Sequence, residues 1–319
     1  MIAVQPHTLL VLSVDQLLKL TALLKNRNTF QRNERPLLQE LYNYCKDVRR
    51  IVIENRKATL NGQIDLSPFC NAEYICLELI PPHLIDGLNE FSESGMLAHL
   101  KFTGYLNKIS EILEVSSKIK DNRWLSLEIL DLEFNNICKL DDSLLLVPKL
   151  TWIDLSHNKI QDASQLECLP NLTYVNLAFN ELTSMPQLTC GIRRFPPCKV
   201  LLLKGNRLVH FKGVFISLSR SYSLGIEHLR NMEVCDLSMN AISSKNDFKL
   251  LQNLVNLREV CFAVDYLLFS QFYLARNPVA FMKDYRTHLL QSVSPISLLN
   301  PVRYIPINLS RQGYEYSLV

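Results

Sequence analysis

Glycine is scarce, with nine residues in a chain of 319. Neither G-x-G-x-x-G nor G-x-x-x-x-G-K-[ST] occurs, and phosphate cradles need glycine where backbone approaches the ligand, so nucleotide binding has no support. Charge of one sign is lacking as well. Lys and Arg total 34 against 31 Asp and Glu, and a net +3 gives no basic footprint for nucleic acid. No uncharged apolar run is long enough for a transmembrane helix. Residues 1–19 have no basic stretch before their leucines and hold Asp15, so they read as amphipathic and not as a signal peptide.

Clustered metal and redox ligands are also missing. The cysteines at 45, 70, 76, 138, 168, 190, 198, 235 and 261 form no C-x-x-C, and the histidines form no H-x-x-x-H. Scattered cysteines read as small buried apolar residues of a reducing compartment, which places the chain in the cytoplasm. The sequons at Asn171 and Asn308 then have no role. No catalytic, metal or cofactor-binding residue is assigned, so the chain is read as a non-enzyme.

What the chain has is self-similarity. Leu127-x-x-Leu130-x-Leu132-x-x-Asn135-x-Ile137 recurs as Leu150, Ile153, Leu155, Asn158 and Ile160, and again as Leu172, Val175, Leu177, Asn180 and Leu182. The frame returns at Cys198, Leu201, Leu203, Asn206 and Leu208, then at Met232, Cys235, Leu237, Asn240 and Ile242. Repeats of this length are supersecondary units that bury apolar faces only by stacking. The pattern predicts a leucine-rich-repeat solenoid of α/β class, with a curved parallel sheet and short convex helical turns. Asn135, Asn158, Asn180, Asn206, Asn240 and Asn277 are read as a structural ladder bonding backbone where each strand turns away.

Upstream, Val48/Ile51/Ile53, Tyr74/Leu77/Leu79/Leu84 and Leu97/Leu100/Phe102 keep apolar positions without the asparagine and read as three atypical coils. Leucines from Leu9 to Leu24 predict one helix over about residues 8–26, and Pro36 opens a second to about Asp47. The chain thus divides into an N-terminal helical cap at 1–47, repeats at 48–293 and a tail at 294–319. A helix over Val279–Val293 is expected to cap the last coil.

Two steps of the ladder are long, Asn206 to Asn240 and Asn240 to Asn277. Excising Val214–Gly225 and Val260–Gln271 restores normal coils, with Phe272 and Leu274 completing the second motif. Both segments read as short introns translated in frame, the alternative being apolar partner-binding insertions.

Outward strand positions hold Ile129, Asp131 and Glu133 on one coil, Trp152, Asp154 and Ser156 on the next, and Tyr174, Asn176 and Ala178 on the third. Contiguous exposed aromatics mark interaction sites more than scattered ones do. Apart from Ala178, these are the candidate partner-binding residues: an apolar column beside an acidic pair, Asp131 and Asp154, suited to a basic protein partner. His157, just before a ladder asparagine, reads as a surface polar residue.

The run from Leu127 to Ile160, with Asp141-Asp-Ser143 and Pro148-Lys-Leu150, resembles the repeat domains of the family of nischarin and the serine/threonine kinase 11-interacting proteins. Met185-Pro-Gln-Leu188, Val200 to Leu208 and Leu274-Ala-Arg-Asn-Pro278 look like the kinase-interacting branch, whereas Asp284-Tyr-Arg-Thr287 looks like nischarin. The resemblance implies a cytoplasmic scaffold that binds that kinase and influences where it resides, and it leaves peripheral endosomal or lysosomal association open. The alternatives are a nischarin-like adaptor for an integrin tail and a p21-activated kinase, or a phosphatase-regulatory subunit.

Overall fold

A computed structural model of the chain describes residues 9–25, 35–56, 62–114, 123–186, 188, 197–212, 214–216, 221–223, 226–257, 259–261, 277–284, 287–288 and 291. The described elements run β1 (Leu9–Ser13), α1 (Val14–Lys25), α2 (Arg35–Asp47), β2 (Arg50–Glu54), β3 (Ile64–Asp65), β4 (Tyr74–Glu78) and β5 (Ile85–Asp86). Next come α3 (Leu88–Ser94), β6 (His99–Thr103), α4 (Ser110–Leu113), β7 (Ile129–Asp131), β8 (Trp152–Asp154), β9 (Tyr174–Asn176) and β10 (Val200–Leu202). The last are β11 (Val214–Ile216), β12 (Ser221–Ser223), β13 (Val234–Asp236) and β14 (Glu259–Cys261).

Ten strands form one parallel sheet in the order β1-β2-β4-β6-β7-β8-β9-β10-β13-β14. The sequence explains the arrangement. Alternate residues such as Leu130, Ile153, Val175 and Leu201 are fully buried, so each strand offers one face to a core that only the next coil can close. On the other side of that core, 3-10 segments such as Asp142–Leu146 and Ser164–Cys168 return the chain. Asp141 caps the first of these by accepting a hydrogen bond from the Ser143 amide at 3.1 Å. The buried apolar residues form one contiguous cluster from Val14 to Val279.

The structure corrects the N-terminal expectation. The predicted helix over 8–26 is a strand followed by a helix, with β1 pairing in parallel with β2. Ser13 and Gln16 form the reciprocal cap that starts α1: the Ser13 amide donates to Gln16 Oε1 at 2.8 Å and the Gln16 amide to Ser13 Oγ at 3.4 Å. The second predicted helix is α2.

The atypical coils supply β2, β4 and β6, but the frame of the second is shifted. Ala72, Ile75, Leu77 and Ile80 are its buried positions, level with Ile51 and Leu100 in the neighbouring coils, while Tyr74 and Leu79 face outward. Register with the adjacent strands fixes that choice, because a one-residue slip would turn the apolar set toward solvent.

The two interruptions behave differently. β11 and β12 pair antiparallel outside the main sheet, and the Ile226 amide donates to the Phe211 carbonyl at 3.0 Å across the base of the excursion. β10 pairs with β13 beneath it, so this segment leaves the path of the coil as expected. The second does not simply cut a strand. Val260 and Cys261 belong to β14, where Val260 lies level with Cys235 in the place expected of Phe272. Phe272 and Leu274 lie outside the described residues, as do the tail and much of the expected helix over 279–293; Pro278–Phe281 forms a 3-10 turn.

Candidate protein-binding face

The asparagine ladder sets the geometry of the face. Each ladder side chain is buried, and its Oδ1 accepts an amide from the preceding coil: Leu106 for Asn135, Ile137 for Asn158, Ile160 for Asn180, Leu182 for Asn206, Leu208 for Asn240 and Ile242 for Asn277. Its Nδ2 donates to carbonyls of both coils, as Asn180 does to Leu155 at 2.8 Å and Leu177 at 3.1 Å. These bonds hold successive turns one strand spacing apart, so outward residues stack in rows.

The first row places Arg50, Tyr74, His99, Ile129, Trp152, Tyr174, Val200 and Val234 level with one another. The structure thus brings Ile129, Trp152 and Tyr174 together, with the Trp152 and Tyr174 rings stacked at 4.7 Å and 10°. All three are half-buried, and the Trp152 and Tyr174 rings cover each other. Tyr74 extends the row through an edge contact with His99 at 4.7 Å, and the Arg50 guanidinium lies 5.3 Å from the Tyr74 ring.

The acidic pair is not open to solvent as the sequence suggested. Asp131 is 2% exposed and Asp154 5%. Lys101, level with Asp131 on the neighbouring strand, donates from Nζ to Asp131 Oδ2 at 2.7 Å and to Glu133 Oε1 at 2.6 Å. Asp154 accepts from the Ser156 amide at 2.8 Å and from Asn176 Nδ2 at 2.7 Å. Rows one strand apart bury these short polar side chains, and a buried charge must find a partner. Asp131, Glu133 and Asp154 each offer an oxygen within 4.8 Å of the others, close enough to hold a metal ion, but the Lys101 ammonium already supplies the cation. Ser156 and Ala178 are buried beside them. The frame Leu97/Leu100/Phe102 already turns Lys101 outward, but its pairing with Asp131 is visible only once the two strands are level.

Burial pushes the Asp131 carboxyl up to about 6, against the pull of Lys101 and with help from Asp154 and Glu133. Burial also raises Asp154, opposed by its bonds from Ser156 and Asn176. For Lys101, burial alone would lower the proton affinity, yet Asp131 and Glu133 hold it well above the ordinary lysine range. Folded Asp131 therefore binds its proton more tightly than the unfolded chain does. That contribution favours the fold below about pH 4 and is lost as pH rises through about 6. Asp131→Asn cannot titrate, so it should gain stability relative to the parent across this window in urea unfolding. A stability difference that stays flat between about pH 4 and pH 7.5 refutes the assignment.

A second stack, not anticipated, runs where the strands turn. Phe134, His157 and Phe179 each precede a ladder asparagine and adopt left-handed backbone, φ 55°, 55° and 56°. Their rings stack, Phe134 on His157 at 4.2 Å and His157 on Phe179 at 4.6 Å. Glycine takes the equivalent place at Gly205, φ 69°, where a Cβ would sit 2.6 Å from the Phe179 ring. Left-handed backbone costs a bulky L-residue about 1 kcal/mol that glycine or asparagine largely escapes. His157, read as a surface polar residue, is the middle member of this stack. The signal that could have found it is the residue before each ladder asparagine, taken down the column.

Residues 126–182 match the family described as Leucine rich repeat. The serine/threonine-protein kinase 11-interacting protein of Gallus gallus is 30% identical over 239 residues, 74% of this chain and 20% of that protein. The Homo sapiens protein of the same name is 27% identical over 239 residues, 73% of this chain and 19% of its own length. The aligned stretch therefore spans about a fifth of these relatives. Among solved structures, a leucine-rich-repeat protein of Leptospira interrogans superposes with a TM-score of 0.52 at 19% identity, over 71% of this chain and 52% of the other, a likeness of fold alone. Fold and sequence together make this chain a leucine-rich-repeat solenoid whose repeat region is similar to that of the serine/threonine-protein kinase 11-interacting proteins.

Proposed function

We propose that the chain is a protein-binding scaffold, that its concave sheet face takes the partner, and that the partner is a serine/threonine kinase. The observation that carries the docking site is the first row, where Ile129, Trp152 and Tyr174 form a contiguous, partly exposed apolar column on a rigid parallel sheet. Interface energy concentrates in such aromatic anchors, and rigid elements place them at little entropic cost. The kinase reading comes from similarity, because the relatives in the comparison carry that kinase in their names. It extends to an influence on where the kinase resides, with the scaffold in the cytoplasm and peripherally associated with endosomes or lysosomes. Leucine-rich-repeat scaffolds generally act by binding, and the face described above works through contact instead of bond-making. Among the described residues, no helix is long and apolar enough to cross a membrane.

The test is calorimetric titration of serine/threonine kinase 11 into the chain and into Trp152→Ala. The variant should bind about thirtyfold more weakly, a loss of about 2 kcal/mol. Its melting temperature should fall by only a few degrees, since the stack with Tyr174 contributes about 1 kcal/mol. Equal binding by parent and variant moves the docking site off this row. No binding by the parent removes the kinase.

A further inference from the structure

The turn that precedes each ladder asparagine does not need an aromatic residue. Gly205 fills it before Asn206 and Met239 before Asn240, while Leu79 and Gly104 take the equivalent turn on coils without the asparagine, all with positive φ. At 134 and 179 the chain instead holds phenylalanines that are 55% and 37% exposed, with His157 stacked between them and exposed as well. Two large apolar side chains are thus kept in a backbone conformation that disfavours them and in contact with water, which neither helix capping nor core packing explains.

The charges around this ridge are uneven. At one end Glu133 adjoins Phe134 and shares the Lys101 ammonium with Asp131, so two carboxylates meet one cation there, with Asp154 close by. Glu133 and Asp154 are near enough to His157 to favour its protonated form, although burial wins and lowers its proton affinity. At the other end the Lys204 ammonium lies 5.8 Å from the Phe179 ring, so a cation already rests on that end of the stack.

We infer that Phe134, His157 and Phe179 form a docking rail for a partner segment that is both apolar and basic, with its cationic end over Glu133 and away from Lys204. The inference rests on the concave side being the binding side and adds the chemistry of the segment it takes. Apolar side chains of the segment cover the exposed ring edges, and an arginine or lysine meets the surplus carboxylate charge at the Glu133 end. The rail runs parallel to the Trp152–Tyr174 stack, with the buried polar row between them, so one segment crossing the strands can engage both.

The probe is a short fluorescein-labelled peptide with leucines at helical spacing and two arginines at one end, followed by anisotropy against the full chain. The double variant Phe134→Asn with Phe179→Asn replaces both rings by a residue suited to left-handed backbone. It should bind the peptide at least about tenfold more weakly while its melting temperature stays close to the parent's, because relief of the left-handed strain offsets the two lost stacks. A peptide with its arginines changed to glutamate should lose binding to the parent. Glu133→Gln should weaken binding of the arginine peptide most at low salt. The inference is overturned if the parent does not bind the arginine peptide, if the double variant binds it equally well, or if the double variant melts several degrees lower, which would make the ridge a packing feature. A parent that binds the peptide but not the kinase removes only the partner assignment.

Discussion

Asn158→Ala is expected to lower the unfolding free energy by about 3 kcal/mol while leaving partner affinity per folded molecule unchanged. The buried Nδ2 donates to the carbonyls of Leu132 at 2.9 Å, Leu155 at 3.0 Å and Ser156 at 3.1 Å, and Oδ1 accepts from the Ile137 amide at 3.0 Å. The carbonyls keep second donors: Asn135 at Leu132, Asn180 at Leu155 and the Phe134 amide at Ser156. The Ile137 amide is the group left buried without its acceptor, and one such group costs about 1–3 kcal/mol. The remaining loss is the net worth of the other bonds and the space the side chain leaves. Urea unfolding gives the stability, and titration of the kinase at a temperature where the variant is folded gives the affinity. Unchanged stability with lost binding would place Asn158 in the interface and contradict the ladder.

The ladder was legible because each coil announces it with the same residue at the same offset from the same leucines. Where that residue is missing, the frame drifts. Tyr74, Leu77 and Leu79 satisfy an apolar pattern nearly as well as Ala72, Ile75 and Leu77 do, and only pairing with Ile51 and Leu100 decides between them. Near Leu9 two periods compete. The leucines at 9, 10, 12, 17, 20 and 24 fit a helical stripe, but the capping pair Ser13 and Gln16 marks the break that puts the first of them on a strand. Strand alternation gives the rows, whereas their exposure does not follow from it, because burial on a sheet face depends on the neighbouring coil. Alternation sets Asp131 and Asp154 beside each other, yet the cation that meets Asp131 is Lys101, 30 residues away in the sequence, and no pattern within one coil pairs the two. The Phe134, His157 and Phe179 stack was hidden differently. Its members occupy turns, where neither the helical nor the strand period applies, and only their shared place before a ladder asparagine relates them in the sequence.

Lys101→Met is expected to lower stability by about 3–5 kcal/mol near pH 8 and by much less near pH 5. Lys101 is 12% exposed at its side chain and Asp131 3%, so the pair is too buried for solvent to replace the lost ammonium. Methionine keeps the length and apolar stem of the side chain, which separates loss of charge from loss of packing. Without the ammonium, Asp131 is left beside Asp154 and Glu133, both of which already raise its proton affinity or share its region. Its folded pKa must move further above about 6, because the largest influence opposing burial has gone. A raised folded pKa means the folded variant regains stability as pH falls through that value, so the deficit shrinks toward acid pH. Adding Asp131→Asn to Lys101→Met should return a large part of the loss near pH 8, since the uncompensated charge and not the missing bond dominates it. Urea unfolding of the parent, both single variants and the double variant at the two pH values closes the cycle. A deficit below about 1 kcal/mol, or one of equal size at both pH values, would show that Asp131 stays solvated in the folded chain and that the concave row beside Trp152 carries its negative charge open to a partner.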